Sequence, residues 1–549
     1  MRGTGLRNLL LLLVAGLALS GCEGRVIPTC PAGKLCLHAG NGTDPGTLDP
    51  AKSQLVTEDN ILSDLLVGLV TDDADGKGVP GMAESWTTSP DGLTWTFKLR
   101  DATWSDGVPV TAEDFVFTLR RLVDPKTAAE YAYFAFPIKN GTEANAGKAP
   151  LESLGVRAVD PKTLEITLVH PTAYLPQILK HMVTYPVPAH VVKKWGDAWS
   201  RPEHYVSNGP FTLSYWRLGD RIRLVKNPRF YDARNVCLDE VYYYPTTDTI
   251  SAERRVRRDE LDIADGIAAS RVPYLRQPDQ IPTYVRSAPY MGVYYLAFNT
   301  HVAGLENKDV RTALSMTIDR DFIASKLIRA EKNAAYGFVP PGVTDYPGGA
   351  RVFYADWSFE KRKAYARDLL AKAGYGPQRP LKLELKTAST GTAEPSALVA
   401  AVQSDWRSIG VQTSIIQEDG QVFFSDMNVR NFQVGMAGWI ADYDDATTFL
   451  ALLKSDTGAQ NYGDYKNPAY DALLAQADVT VDPKARGALM VRAEQIALDD
   501  VGVAPVYFAF SRNLVNPAIT GWNDNIMDHH RMRWVCFKDA AARRARSQG

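Results

Sequence analysis

The residues of this 549-residue chain that could do covalent chemistry do not fall into a catalytic spacing. No G-x-S-x-G elbow, no G-x-x-x-x-G-K-[ST] phosphate loop and no H-E-x-x-H zinc pair occurs. The eight histidines are scattered. Asp444-Asp445 and Asp499-Asp500 are adjacent in sequence, so their carboxylates diverge and both pairs read as solvated surface. Asp442 reads, on residue type alone, as a turn or capping aspartate beside Asp444 and Asp445. His529-His530 lie near Cys536 but lack a paired C-x-x-C, so no metal site is expected. No enzymatic reading is therefore favoured and no cofactor is expected; an exported lipoprotein hydrolase with no legible motif is the minor alternative.

The N-terminus sets the compartment. Arg2 and Arg7 precede an apolar run from Leu9 to Leu19, and Leu19-Ser20-Gly21-Cys22 follows. The run is shorter than the roughly twenty residues a membrane-spanning helix needs. It fits a cleavable export signal over residues 1–21, and Cys22 stands where a bacterial lipoprotein carries its lipid anchor. Four further cysteines, Cys30, Cys36, Cys237 and Cys536, suit an oxidising compartment and allow three pairings. Cys30 and Cys36 flank a short loop containing Pro31 and Gly33; pairing them leaves Cys237 with Cys536, and free buried thiols are the other reading. A formal net charge of −2 gives no basic excess for nucleic acid. The length suggests about three or four cores, and 11 Trp, 25 Tyr and 19 Phe are enough to line a large cleft as well.

Mixed α/β elements must position these residues. Ser89-Pro90-Asp91-Gly92 is a turn sequence, and Trp95 to Leu99 alternates as a strand. Thr111 reads as an N-cap with Asp114 in the first turn, and Phe115, Leu119 and Leu122 follow at helical spacing. Thr163 to Leu168 is strand-like. Glu360 to Ala373 is an amphipathic helix with Tyr365, Leu369 and Leu370 inward, stopped by Gly374. Asp482-Pro483 opens a helix through Leu498. No repeat of 20–50 residues is evident.

Nine segments in order carry something more specific. They are Gly81–Trp86, Asp91–Phe97, Trp104–Asp114, Asn208–Phe211, Asn227–Asp232, Asp309–Leu314, Asp319-Arg320, Gly438–Tyr443 and Asn467–Asp471. Together they resemble the signature of the extracytoplasmic peptide-binding proteins that serve ABC importers, the oligopeptide and dipeptide binders of solute-binding family 5. The resemblance runs from about Asp49 to beyond Pro505. It implies a two-lobed periplasmic-binding-protein fold of type II, α/β, with an extra small α+β domain. Carried over by segment, residues 66–188 are the small domain and 292–508 the second lobe. Residues 23–65, 189–291 and 509–549 build the first lobe, and a Cys237–Cys536 bridge would then stay inside it. The implied partners are a peptide ligand, the permease subunits and the membrane through Cys22, with the protein a monomer.

The resemblance also assigns roles. The aspartate of G-W-x-x-D-Y, here Asp442, pairs with the peptide's α-amino group, since an unpaired ammonium in a closed cleft is costly. Gly438 to Ile440 and Gln54 to Val56 resemble the two backbone segments that sandwich an extended ligand by strand addition. Trp439 and Tyr131 would line side-chain pockets, Tyr295 falls near the cleft at the lobe crossover, and Asn208 shapes its edge. Basic residues that hold the ligand carboxylate in better-known relatives are replaced by Met436 and Met427, and a histidine before Trp406 by Pro395 or a neighbour. The expected ligand is thus amidated, modified, unusually long, or paired to another cation such as Arg430 or Arg329. A murein-derived or otherwise modified peptide, or a non-peptide solute, is the alternative.

Overall fold

The computed structural model describes residues 30–329, 333–389 and 394–546; Cys22 and the export signal lie outside them, as does the side chain of Pro395. Local signals hold where the chain is read by short-range chemistry. In the 89–92 turn, Asp91 Oδ1 accepts from Leu93 N–H at 3.0 Å and Gly92 takes a positive φ of 72°. Strand Thr94–Leu99 follows, with Trp95, Phe97 and Leu99 buried. Helix Ala112–Val123 starts where Thr111 N–H donates to Asp114 Oδ2 at 2.9 Å, and Phe115, Leu119 and Leu122 face the core. Helix Pro483–Asp499 starts where Asp482 Oδ1 accepts from Ala485 N–H at 2.8 Å.

One ten-stranded sheet runs through the molecule. Its order is Gln412–Asp419, Lys382–Ser389, Val434–Ile440, Val285–Phe298, Ala504–Val515, Ile263–Asp265, Cys36–Gly40, Glu240–Tyr244, Arg221–Lys226 and Phe211–Arg217. The two central long strands, Val285–Phe298 and Ala504–Val515, are antiparallel neighbours that carry the chain out of one lobe and back. Their ladder changes register between Pro289 and Val293, where proline supplies no N–H. Beyond the shift, one apolar core gathers residues from Met291 to Tyr507, with Met527; the other large core gathers residues 35–263 and 515–537. A four-stranded antiparallel sheet (Ala83–Thr88, Thr94–Leu99, Thr163–Thr167, Val156–Asp160) packs with helix Ala112–Val123 and shares that second core.

Cys30 pairs with Cys36 and Cys237 with Cys536, at Cα separations of 5.6 and 5.5 Å. The second bridge spans a sequence separation of 299 residues and fastens the C-terminal segment to the first lobe. Two expectations fail here. Tyr365 is 41% exposed, because helix Phe359–Lys372 packs through Arg362, Ala366, Leu369 and Leu370 and leaves Tyr365 at the margin of that stripe. Asp445 is not solvated surface: it is buried, with Arg486 bridging both its oxygens at 2.6 and 2.9 Å.

Candidate functional site

Where the lobes face each other, a cavity of about 260 Å³ brings Gln54, Val56 and Tyr131 from one side against Trp439, Ile440 and Asp442 from the other. A second cavity of about 510 Å³ lies beyond and shares Trp439 and Asp442 with the first. Six of the nine ligand-contact residues expected from sequence thus meet at one place.

The sequence Val434–Ile440 forms a strand that is paired on one side along its whole length, from Val434↔Phe298 to Ile440↔Gly292. On its other side, Lys382–Ser389 pairs only as far as Met436. From Ala437 to Ile440 that edge carries no strand among the described residues, so its backbone groups are open to an extended guest. Gly438 sits in this stretch for steric reasons: a Cβ there would lie 2.7 Å from the Tyr294 ring. Across the cavity Leu55 is extended, and Glu58 fixes it. Glu58 Oε2 accepts from the N–H groups of Gln54 (2.7 Å) and Leu55 (3.0 Å) before helix Val56–Leu65 begins. That wall therefore offers fewer free donors than a full strand would.

Asp442 is the least satisfied carboxylate in the cavity. The Tyr133 hydroxyl donates to its Oδ2 at 3.1 Å, and among the described residues no Lys, Arg or His pairs with it. Burial raises its carboxyl to about 7, against the lowering effect of the Tyr133 hydrogen bond. Thr448 Oγ1 fixes the surrounding geometry, accepting from Trp439 Nε1 at 3.3 Å and from Asp442 N–H at 3.2 Å. Tyr131 stacks on His181 at 5.4 Å, and burial holds that imidazole down at about 4, hence neutral.

The opposite wall is electrostatically closed. Arg531 donates to Asp59 and to Asp72 at 2.7 Å each, and Lys180 pairs with Asp72 at 2.7 Å. Burial pushes Asp59 up, but the charges of Arg531, His529 and His181 and the Arg531 hydrogen bond together more than offset it, and its carboxyl ends below the ordinary value. Arg531, Lys180 and His529 thus all stand against Asp59 and Asp72, and none of them pairs with Asp442.

Two expected contact residues stand elsewhere. Tyr295 is buried in the second lobe's core, edge-on to Phe338 at 5.3 Å; successive side chains alternate across a strand, and Tyr294 takes the face toward Gly438. Asn208 is buried and clamps Val67, accepting from its N–H and donating to its carbonyl at 3.0 Å each. Met427 is buried, its thioether lying over Gly435, and Met436 is covered within the sheet, so neither lines either cavity. Arg430 donates to Asp464 Oδ1 at 3.2 Å and to two carbonyls, and Arg329 is exposed, so neither replaces a carboxylate anchor in the cleft. Sequence reasoning missed Tyr133, Tyr290 and Thr448. The spacing of Tyr131 and Tyr133 was the one available signal for the first.

Residues 77–461 match the family described as bacterial extracellular solute-binding proteins, family 5 middle. The periplasmic oligopeptide-binding protein OppA of Escherichia coli is 36% identical over 498 residues, covering 89% of this chain and 90% of that protein. The structure of the Escherichia coli murein tripeptide binding protein MppA superposes with a TM-score of 0.82 at 34% identity, covering 93% of this chain and 99% of that one. Haemophilus influenzae OppA in complex with the peptide RPPGFSPFR gives a TM-score of 0.80 at 30% identity, covering 92% and 100%. Family match, near full-length identity and the two-lobed cleft agree: the chain belongs to family 5 of the bacterial extracellular solute-binding proteins.

Proposed function

We propose that this protein captures peptides bearing a free amino terminus in the interlobe cleft and delivers them, unaltered, to an ABC transporter. The observation that carries the reading is Asp442: a half-buried carboxylate without a cation, beside a strand edge open from Ala437 to Ile440. An extended peptide satisfies both, its ammonium neutralising Asp442 and its amides pairing with the edge. Trp439 and Tyr131 supply faces for side chains, and the adjoining 510 Å³ cavity gives varied side chains hydrated room. The protein acts outside the cytoplasm as a monomer held to the membrane through a lipid on Cys22. The lobe boundaries near 292 and 508 are supported by the register shift beside Val293 and Phe508; the small domain over 66–188 is supported by its own four-stranded sheet.

A murein-derived peptide is the second reading, favoured by the likeness to MppA; it uses the same ammonium anchor. Calorimetric titration with a tripeptide and its N-acetyl derivative tests the anchor. Acetylation is expected to weaken binding by about 2–5 kcal/mol, the usual effect of removing one partner of a buried charge pair. Equal affinities would overturn the reading. Mass spectrometry of the co-purifying ligand separates ordinary from murein peptides.

A further inference from the structure

Behind Val56 lies a third, smaller cavity that the ammonium anchor does not use. Its volume is about 40 Å³, enough for a few waters or one small polar head group. Val56 lines both this cavity and the cleft, so the two spaces adjoin at that residue. Asp265, at the end of strand Ile263–Asp265, lines it, and its side-chain carboxylate has no hydrogen-bond or ion-pair partner among the described residues. Asp528 also lines it, and no Lys or Arg does.

His530 lines the same cavity and is held against Asp528. Its side chain is 6% exposed and its Nε2 is 2.9 Å from Asp528 Oδ1. The ring stacks on Trp522 at 3.7 Å, while Nδ1 is buried without a partner. With Nε2–H given to Asp528, a neutral ring presents Nδ1 as an acceptor. The cavity is thus lined by two carboxylates, with the imidazole braced on one of them and no Lys or Arg among the described residues lining it, a set that suits a donor-rich cation. Tyr290 connects the two spaces: it lines the cleft, and after burial the charges of Asp528 and Asp265 are what push its hydroxyl upward.

We infer that this cavity is a second cation subsite, taking the ammonium or guanidinium head of a basic side chain on a ligand whose first amine rests on Asp442. The inference rests on the peptide reading above and narrows it: the preferred ligand carries two positive charges. Such a guest also removes the repulsion between Asp265 and Asp528, which, after burial, holds the Asp265 carboxyl up at about 6.

Two measurements test it. Ligand-stripped protein is titrated with Ala-Lys-Ala and Ala-Ala-Lys and with their norleucine counterparts. At one position lysine is expected to bind at least about tenfold tighter than norleucine, and Asp265→Asn to abolish that preference while leaving the norleucine peptide's affinity unchanged. Separately, methylguanidinium chloride at matched ionic strength is expected to raise the melting temperature of the wild type more than that of Asp265→Asn. If peptides bind with no lysine preference and methylguanidinium acts equally on both proteins, the subsite is overturned and the peptide reading stands. If no peptide binds yet methylguanidinium favours the wild type, the peptide reading falls and the cation subsite stands. The wild-type peptide series needs no variant, so a misfolded Asp265→Asn would not shelter the proposal.

Discussion

Asp442 and Asp445 are three residues apart on one loop, and their surroundings are opposites. Asp445 is buried, bridged by Arg486 and bonded to the backbone and side chain of Thr447. Arg486 in turn lies 4.7 Å over the Tyr174 ring, and Tyr174 stacks on Tyr443 at 5.6 Å. Asp442 has one phenol donor and, among the described residues, no cation. The first carboxylate has every demand met from within the chain and holds the loop in place. The second, three residues earlier, has no cation partner among the described residues. An unsatisfied group next to a saturated one marks a site for a ligand better than either motif or burial alone.

The contrast breaks most visibly at Asp445. Asp445→Ala leaves Arg486 buried without its partner and is expected to destabilise the protein by about 3–5 kcal/mol in chemical denaturation. A variant as stable as the wild type would show that the pair does not pin the loop. Asp442→Ala is expected to do the reverse: little change in denaturation midpoint, and about 2–5 kcal/mol weaker binding of a free-amine peptide by calorimetry. Unchanged affinity would remove Asp442 from the site.

The pH profile sharpens the same comparison. An ammonium ligand selects ionised Asp442, whose carboxyl stands near 7 in the free protein. Affinity should therefore fall as pH drops below 7, approaching about tenfold per unit, and fall again above about 8 as the ligand's own amine deprotonates. For folding the sign is opposite: a carboxyl raised from 3.8 binds more protons when folded, so this group's contribution to stability declines as pH rises from about 4 to 7. Asp64, at about 7, and Asp265, at about 6, titrate nearby, so the profile is read against Asp442→Asn, which should lose the acid limb. Tyr133→Phe removes a donor that lowers Asp442. It should shift the acid limb upward and weaken binding by about 1.5 kcal/mol, the low end for a hydrogen bond to a charged group. The smallest effect is expected at the other end of the ligand. With Met427 and Met436 packed away and Arg430 held by Asp464, C-amidation should change affinity by about 1 kcal/mol or less. A strong preference for the free carboxylate would reveal a cation outside this account.

Short-range chemistry made the elements legible. The Thr111–Asp114 cap, the Asp482-Pro483 start and the 89–92 turn each depend on residues within a few positions. The chain order of nine segments made the family and Asp442 legible. What stayed hidden depends on partners far along the chain. Arg486 lies 41 residues from Asp445, and nothing near Asp445 announces it. Motif position alone could not tell that Tyr295 points inward while Tyr294 faces Gly438, nor that Asn208 spends its amide on Val67. The Met positions show the same limit: a methionine in place of a basic residue says what is missing, not which way the backbone now points it.

Both ends of the second lobe leave through adjacent strands, Val285–Phe298 and Ala504–Val515. In genetic terms the stretch between those strands is one contiguous segment that enters and leaves at a single seam. Asp442 lies within it, whereas Asp265 and Asp528 lie outside. If Asp442 holds the ligand's amine and Asp265 a second charge, as proposed, recombination at this seam would transmit the first preference without the second.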